Sequence, residues 1–203
     1  MYPEMREDLV LASGSPSRAA LLKGAGLTFT IQPSDLDERA AREAMRRDGA
    51  LGPDDVAEVL ARAKAEQVSA QHPQALVIGS DQVLALGDRL FEKPATMEAA
   101  RKTLLSLSGK THKLHCAVAI ARGGQSGWSE VHVASLTMRA ISPKEIGQYL
   151  ASAGEQVLTS VGAYQLEGLG ANLFERIEGD YFTILGLPLL PLLERLRQEG
   201  ALA

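Results

Sequence analysis

The chain has 203 residues, 45% hydrophobic and 23% charged, enough for one domain with a proper core or one domain split into two lobes. A net charge of -4 and an aromatic share of 4% leave no basic stripe and little stacking surface, which excludes binding of long nucleic-acid tracts. Cys116 is the single cysteine, so an internal disulfide and a thiolate zinc site are both excluded, as fits a reducing cytoplasm.

The first ten residues, MYPEMREDLV, carry acid and lack the apolar stretch of a signal peptide. Leu9 to Ala12 reads as a short buried strand, and Pro16 to Ala25 as a helix ended by Gly24 or Gly26. Thr28 to Gln32 reads as a second strand. A polar, acidic loop from Pro33 to Glu38 follows, then a charged stretch containing Gly49 and Gly52. Pro53-Asp-Asp-Val starts a helix to about Gln71, with proline and acids where a helix N-terminus favours them. Val56, Val59, Leu60 and Ala63 give its apolar stripe, and Lys64 falls at the edge of that side.

Ala75 to Ile78 reads as a buried strand broken by Gly79-Ser-Asp-Gln82, and Met97 to Leu107 as a helix. Lys113 to Ala121 and Glu130 to Met138 form a hairpin joined by Gly123, Gly124 and Gly127. Ser142-Pro-Lys-Glu145 has the order of a capping box, opening a helix to about Ala151. A glycine-rich loop runs from Gly162 to Gly170, and Leu187 to Gln198 closes the chain as a helix with early prolines. The longest apolar run, Ile184 to Leu193, is about half a bilayer span and contains Pro188 and Pro191, so it belongs to a core rather than a membrane. Helices alternating with buried strands, then a hairpin, make the fold class α/β with a mixed sheet. No repeat or linker breaks residues 1–203 into more than one domain.

Three stretches carry candidate chemistry. LVLASGSPSRAALL crowds hydroxyls, a glycine and an arginine between strand and helix. Ser15 can cap the helix with Pro16 at its first position, and the free N–H groups and dipole there attract an anion. Ser13, Ser15 and Ser17 add hydroxyls, and Arg18 adds a planar fork suited to phosphate; the plain alternative is a capped helix with a surface arginine. Asp81, after a buried strand, falls where α/β sites open, as base or metal ligand, the alternative being an Asx turn. Lys93 is held extended by Pro94, and alone reads as a surface loop lysine.

Ser108-Gly-Lys-Thr111 resembles the tail of a P-loop, but position 104 is leucine where that motif needs glycine, so an ATPase site is excluded. His112 and His115 have no third partner nearby and read as structural or surface residues. Glu167 lies in the glycine-rich loop. A carboxylate there can accept two parallel hydrogen bonds from the ring N–H and exocyclic amine of guanine; the plain alternative is an exposed loop acid.

Taken in order, LASGSPSRAALL, LDE at 36–38, Lys64-Ala65, GSDQ at 79–82, EKP at 92–94, LSGKTH at 107–112, VGAYQLEG at 161–168 and IEGDYFTILGLPLLPLL resemble the Maf (septum-formation inhibitor-like) family of nucleoside triphosphate pyrophosphatases. The resemblance covers almost the whole chain. It implies a mixed twisted sheet with flanking helices, in two lobes around a central cleft, like the inosine triphosphatases. It implies cleavage of a nucleoside triphosphate between the α- and β-phosphates with a divalent metal, Mg or Mn. On the matching positions, Ser13, Ser15, Arg18 and Lys64 hold phosphates and Lys93 lines the same cleft. Glu38 and Asp81 serve the metal, Asp81 also as proton acceptor.

Base choice rests on Ser17, Gln82 and Glu167. Pyrimidine-specific branches carry threonine and glutamine where this chain has Gln82 and Glu167, and that pair looks like the 7-methyl-GTP branch. Some members of that branch have tryptophan before the arginine and the typical family motif has arginine, so Ser17 departs from both. The expectation is a cytoplasmic house-cleaning hydrolase, a homodimer by resemblance, with a nucleotide substrate and no nucleic-acid or membrane partner. The competing reading is a non-catalytic nucleotide-binding regulator of cell division.

Overall fold

The computed structural model describes residues 8–48 and 51–202; the expectation of no export signal in the first residues, and Gly49, lie outside them. Strand β1 (Leu9–Leu11) leads through the serine loop into α1 (Pro16–Gly24), with Ser15 at the N-cap and Pro16 behind it as expected. Leu27 N–H bonds Leu22 O and Gly26 N–H bonds Lys23 O, which ends the helix at Gly26 in a Schellman motif. Strand β2 is only Thr30–Ile31.

The charged stretch after the acidic loop, to which the sequence assigns no element, is a helix, α2 (Glu38–Asp48). Its apolar side is only Ala40, Ala41, Ala44 and Met45, three of them alanine, so the stripe is faint in a run dominated by charge. It is held locally: Asp37 caps it by accepting from Ala40 N at 2.9 Å, and Arg39 pairs with Glu43 at 3.1 Å.

Helix α3 (Pro53–Gln71) matches its expected bounds. Its buried face is Val56, Ala57, Leu60, Ala61, Lys64, Ala65 and Val68, while Val59 is 42% exposed. Where the helix passes closest to the next strand, the contact is made by Ala61 and Ala65. That strand, β3 (Leu76–Leu86), does not break at Gly79-Ser-Asp-Gln82 but runs through it. Gly79 is there for close approach, not for a turn. A Cβ on it would stand 2.2 Å from Ala61 O and 2.8 Å from Ala65 N.

Strand β4 (Arg89–Phe91) pairs antiparallel with the far end of β3, and α4 (Met97–Leu107) follows a Thr96 cap. The expected hairpin is β5 (Thr111–Arg122) and β6 (Gln125–Met138), turning on Gly123-Gly124 with Gly127 inside β6. Helix α5 (Pro143–Ala153) has the expected capping box between Ser142 and Glu145. Strand β7 (Phe174–Glu178) and the short α6 (Tyr181–Ile184) were not legible in the sequence; α7 (Leu189–Gln198) was.

The strand order is β2-β1-β3-β5-β6-β7, with β4 on the end of β3. β1 is parallel to β2 and β3, while β6–β7 and β3–β4 are antiparallel, so the sheet is mixed as expected. The chain forms two compact units of non-contiguous segments: 1–81, 116–132 and 181–203 in the first, 82–115 and 133–180 in the second. In the first unit, period-2 alternation sends Leu9, Leu11, Leu76 and Ile78 to a core with Leu22 of α1, Leu187, and Leu192 and Leu196 of α7. Val10, Ala12 and Val77 face the other way and pack with Val68 of α3. The run from Ile184 to Leu193 is core, as expected, apart from exposed Leu190. Among the described residues, no helix is long and apolar enough to cross a membrane.

Candidate active site

β1 stops at Leu11 and its last rung is Ala12 N–H to Ile78 O, but β3 continues. Ser80 and Asp81 therefore lie just past the carboxyl end of their parallel neighbour, level with the serine loop. Asp81 is thus inside a strand, not after one, yet still at the end of the parallel pair where such sites open. Alternation points the two side chains to opposite faces of the sheet and gives each face its own network.

On the α1 face, Ser13 is buried and its Oγ accepts from Ser15 N at 3.3 Å and Arg18 Nη1 at 3.0 Å. Arg18 Nη1 also donates to Ser80 O at 2.9 Å, and its Nε donates to Gly186 O at 2.6 Å. Gly186, at φ +97°, turns that carbonyl toward the guanidinium. Arg18 is therefore no loose surface arginine. Three of its five donors tie α1, β3 and the segment before α7 together, and the Nη2 donors make no hydrogen bond among the described residues. Ser80, fully buried, lies 2.7 Å from Ala117 O and fixes β3 on β5.

On the α3 face, Asp81 is 4% exposed and Lys64 7% exposed. Lys64 Nζ donates to Asp81 Oδ1 at 2.6 Å and pairs with Glu38 Oε1 at 2.7 Å. The reach follows from Gly79: the same α3 turn that nests on it, Ala61 to Ala65, carries Lys64 to Asp81 two residues further along the same strand face. Arg42 Nη2 donates to Asp81 Oδ2 at 3.2 Å and lies 3.8 Å from Glu38 Oε2. Both oxygens of Asp81 thus accept from a cation. Two carboxylates and two cations cancel at this spot, and the carboxylates are brought onto one ammonium.

Arg42 is the functional candidate that sequence reading missed. It sits on the unexpected α2, and the signal present was the i,i+4 spacing from Glu38. Of the expected site residues, Ser13, Ser15, Arg18, Glu38, Lys64 and Asp81 all fall in the first unit, in these two networks that meet at the Ser80–Asp81 step. Gln82, Lys93 and Glu167 belong to the second unit. There Lys93 and Glu167 are exposed, Lys93 between β4 and α4 and Glu167 on the loop before β7. Ser17 is partly buried on the first turn of α1. His112 and His115 are both buried, so the structural reading holds for each.

Among the described residues, no three His, Cys, Asp or Glu form a ready metal cage. The donor set nonetheless suits a hard cation. Mg²⁺ is commonly held by one or two carboxylates with substrate phosphates completing the shell, and Glu38 and Asp81 supply such a pair.

The family described as Maf-like protein matches residues 8–199. A "7-methyl-GTP pyrophosphatase" of Mesorhizobium japonicum is 56% identical over 98% of this chain and 99% of its own length, and one of Brucella abortus is 54% identical over 96% and 98%. A "Nucleoside triphosphate pyrophosphatase" of Bradyrhizobium diazoefficiens is 52% identical over 98% of this chain and 96% of its own. A HAM1 protein from Coxiella burnetii aligns over 67% of this chain and 75% of its own at 19% identity and a TM-score of 0.43; the mixed-sheet fold stands on the strand order itself.

Proposed function

This chain belongs to the Maf family, and we propose that it is a nucleoside triphosphate pyrophosphatase that releases a nucleoside monophosphate and pyrophosphate from 7-methyl-GTP. The observation that carries the reading is the buried Asp81, gripped on both oxygens by Lys64 and Arg42 beside Glu38.

A triphosphate brings about four negative charges and needs cations on several sides. The serine loop offers hydroxyls, the start of α1 and the Nη2 donors of Arg18. Lys64 and Arg42 can pass from carboxylates to phosphate oxygens, since each is an ion pair exchanging one anion for another. Lys93 adds a further cation on the substrate. Released from Lys64 and Arg42, Asp81 has an oxygen available for the attacking water, whose proton it takes as the phosphorus–oxygen bond between α- and β-phosphate breaks. Glu38 and Asp81 would hold a divalent cation, which, when bound, offsets phosphate charge and makes the water more nucleophilic.

Base choice is assigned to Glu167, with Ser17 and Gln82 as further contributors. Methylation at N7 leaves the guanine ring cationic. A carboxylate therefore gains a charge attraction over its two hydrogen bonds to the guanine edge, which a glutamine would lack. The chain is tested by pyrophosphate release over a panel of GTP, 7-methyl-GTP, UTP and TTP with Mg²⁺ or Mn²⁺. Release fastest from 7-methyl-GTP is the expected result. No release from any of them, with nucleotide still bound, would establish a binding protein instead.

A further inference from the structure

We propose that His112 is a positioning residue for base choice: through Tyr164 it locks the loop that presents Glu167. The inference rests on the assignment of Glu167 above and concerns the second unit alone.

His112 is the second residue of β5 and is 1% exposed. Its Nε2 is 2.7 Å from the Tyr164 hydroxyl, while its Nδ1 has no hydrogen bond. A buried polar atom without a partner is costly, and a phenylalanine would fill the same core without that cost. The imidazole is thus explained by the bond on its other nitrogen. The bond fastens a tyrosine from a segment some fifty residues away, 4% exposed and set edge-on to Phe174 at 4.7 Å between centroids.

The backbone around Tyr164 depends on that ring lying inward. A Cβ on Gly162 would stand 2.1 Å from the Tyr164 ring, so the chain folds back on its own side chain. Ala163 adopts φ +57°, a left-handed conformation that disfavours alanine. Something must hold it there, and two hydroxyls do so: Tyr164 on His112, and Tyr149, which donates to Ala163 O at 3.4 Å. Three residues on comes Glu167. The tether is short and braced, with Gly168 N–H on Gln165 O at 3.2 Å and Gly170 packed against the Gln165 backbone. The Glu167 carboxylate is close enough to help push the Tyr149 phenol up to about 12, after the larger effect of burial. Residues 161–164 are buried and 167–169 exposed, so the loop is a buried anchor with a presented tip.

A carboxylate that reads two parallel donors must be placed to a fraction of an ångström, and a braced, buried anchor under the loop tip serves that precision. His112 supplies that anchor through Tyr164.

The test uses His112→Phe and the milder Tyr164→Phe, which keep ring volume and remove the hydrogen bond, with Glu167→Gln as reference. Two quantities are read: amide hydrogen exchange across residues 162–170, and the ratio of kcat/KM for 7-methyl-GTP over UTP. Exchange in the loop should rise at least tenfold. The ratio should fall at least tenfold, toward the Glu167→Gln value, with a far smaller loss on UTP. An equal loss on both substrates, or unchanged exchange, overturns the inference and leaves His112 as core filling. If Glu167→Gln shifts the ratio and neither ring variant does, the lock is wrong. If Glu167→Gln itself leaves the ratio unchanged, the assignment of Glu167 is at fault.

Discussion

Gly79→Ala should damage both fold and site, through one contact. The added methyl would sit 2.2 Å from Ala61 O and 2.8 Å from Ala65 N and Cβ, all on the helix that packs over β3. Restoring ordinary contact requires α3 and β3 to part by about 1 Å, and neither side is a flexible chain end. Overpacking of this kind costs about 3 kcal/mol, toward the upper part of the usual range, because the nearest obstacle is a backbone carbonyl. The same shift carries Lys64 off Asp81, now 2.6 Å away, and Lys64 is borne by the turn between Ala61 and Ala65. A misplacement of about 1 Å in a catalytic group costs roughly a hundredfold in rate. Urea unfolding reads the first effect and steady-state pyrophosphate release the second. Gly127→Ala on β6 is the control, since its methyl meets nothing within 4 Å; it should stay within about 0.5 kcal/mol of the parent. If Gly79→Ala unfolds at the parent denaturant concentration and turns over within about threefold, Gly79 does not set the helix–strand approach, and the origin proposed for the Lys64–Asp81 pair is wrong.

Asp81→Asn should keep nucleotide binding, measured by calorimetry, while kcat falls by about 10² to 10⁴, the usual contribution of a proton acceptor; parent-level turnover would refute that role. Acid should destabilise the protein partly through His112, whose imidazole burial holds at about 4 against an ordinary 6.5. The folded state binds that proton less readily than the unfolded one. The stabilisation is therefore complete above pH 6.5 and is lost as pH falls toward 4, by roughly 2 to 3 kcal/mol at pH 4.5. Urea unfolding at pH 7.5 and 4.5 should show a shallower acid loss in His112→Phe, and an identical loss would contradict this account.

The elements most legible in the sequence are those whose signals are local. Ser15-Pro16, Pro53-Asp-Asp and Ser142…Glu145 announced three helix starts because such signals need only neighbours in the chain. The Gly79 region misled because a glycine that permits a helix to press on a strand looks, in one dimension, like a glycine that permits a turn. The α2 helix was hidden for a different reason. Its apolar side is only Ala40, Ala41, Ala44 and Met45, a faint stripe beside so many charges, although its ion pairs and Asp37 cap were also present in the sequence. That omission also hid Arg42, since a cation on an unrecognised helix has no predicted direction. That Asp81, Lys64 and Glu38 share one site was legible by resemblance, but not that one ammonium would bridge the two carboxylates, which requires three separate elements to meet.

That meeting has a consequence for metal binding. In the free protein Glu38 and Asp81 are already neutralised by Lys64 and Arg42, so a divalent cation binding alone competes with two resident charges. A triphosphate draws those cations to itself and leaves the carboxylates to the metal, so nucleotide and metal should each strengthen the other's binding by the same factor. Arg42→Gln separates the two halves of this exchange. It removes a competitor at Asp81 Oδ2, 3.2 Å away, so Mn²⁺ alone should bind about tenfold more tightly, a modest share of what a unit charge at that distance exerts near a protein surface. It also removes a phosphate partner, so a non-hydrolysable triphosphate should bind more weakly and its coupling to Mn²⁺ should shrink. Calorimetry of Mn²⁺ with and without the nucleotide reads both changes. If Arg42→Gln left the affinity for Mn²⁺ alone unchanged, Arg42 would be a bystander to the carboxylates rather than their counter-charge, and the exchange would have to run through Lys64 alone.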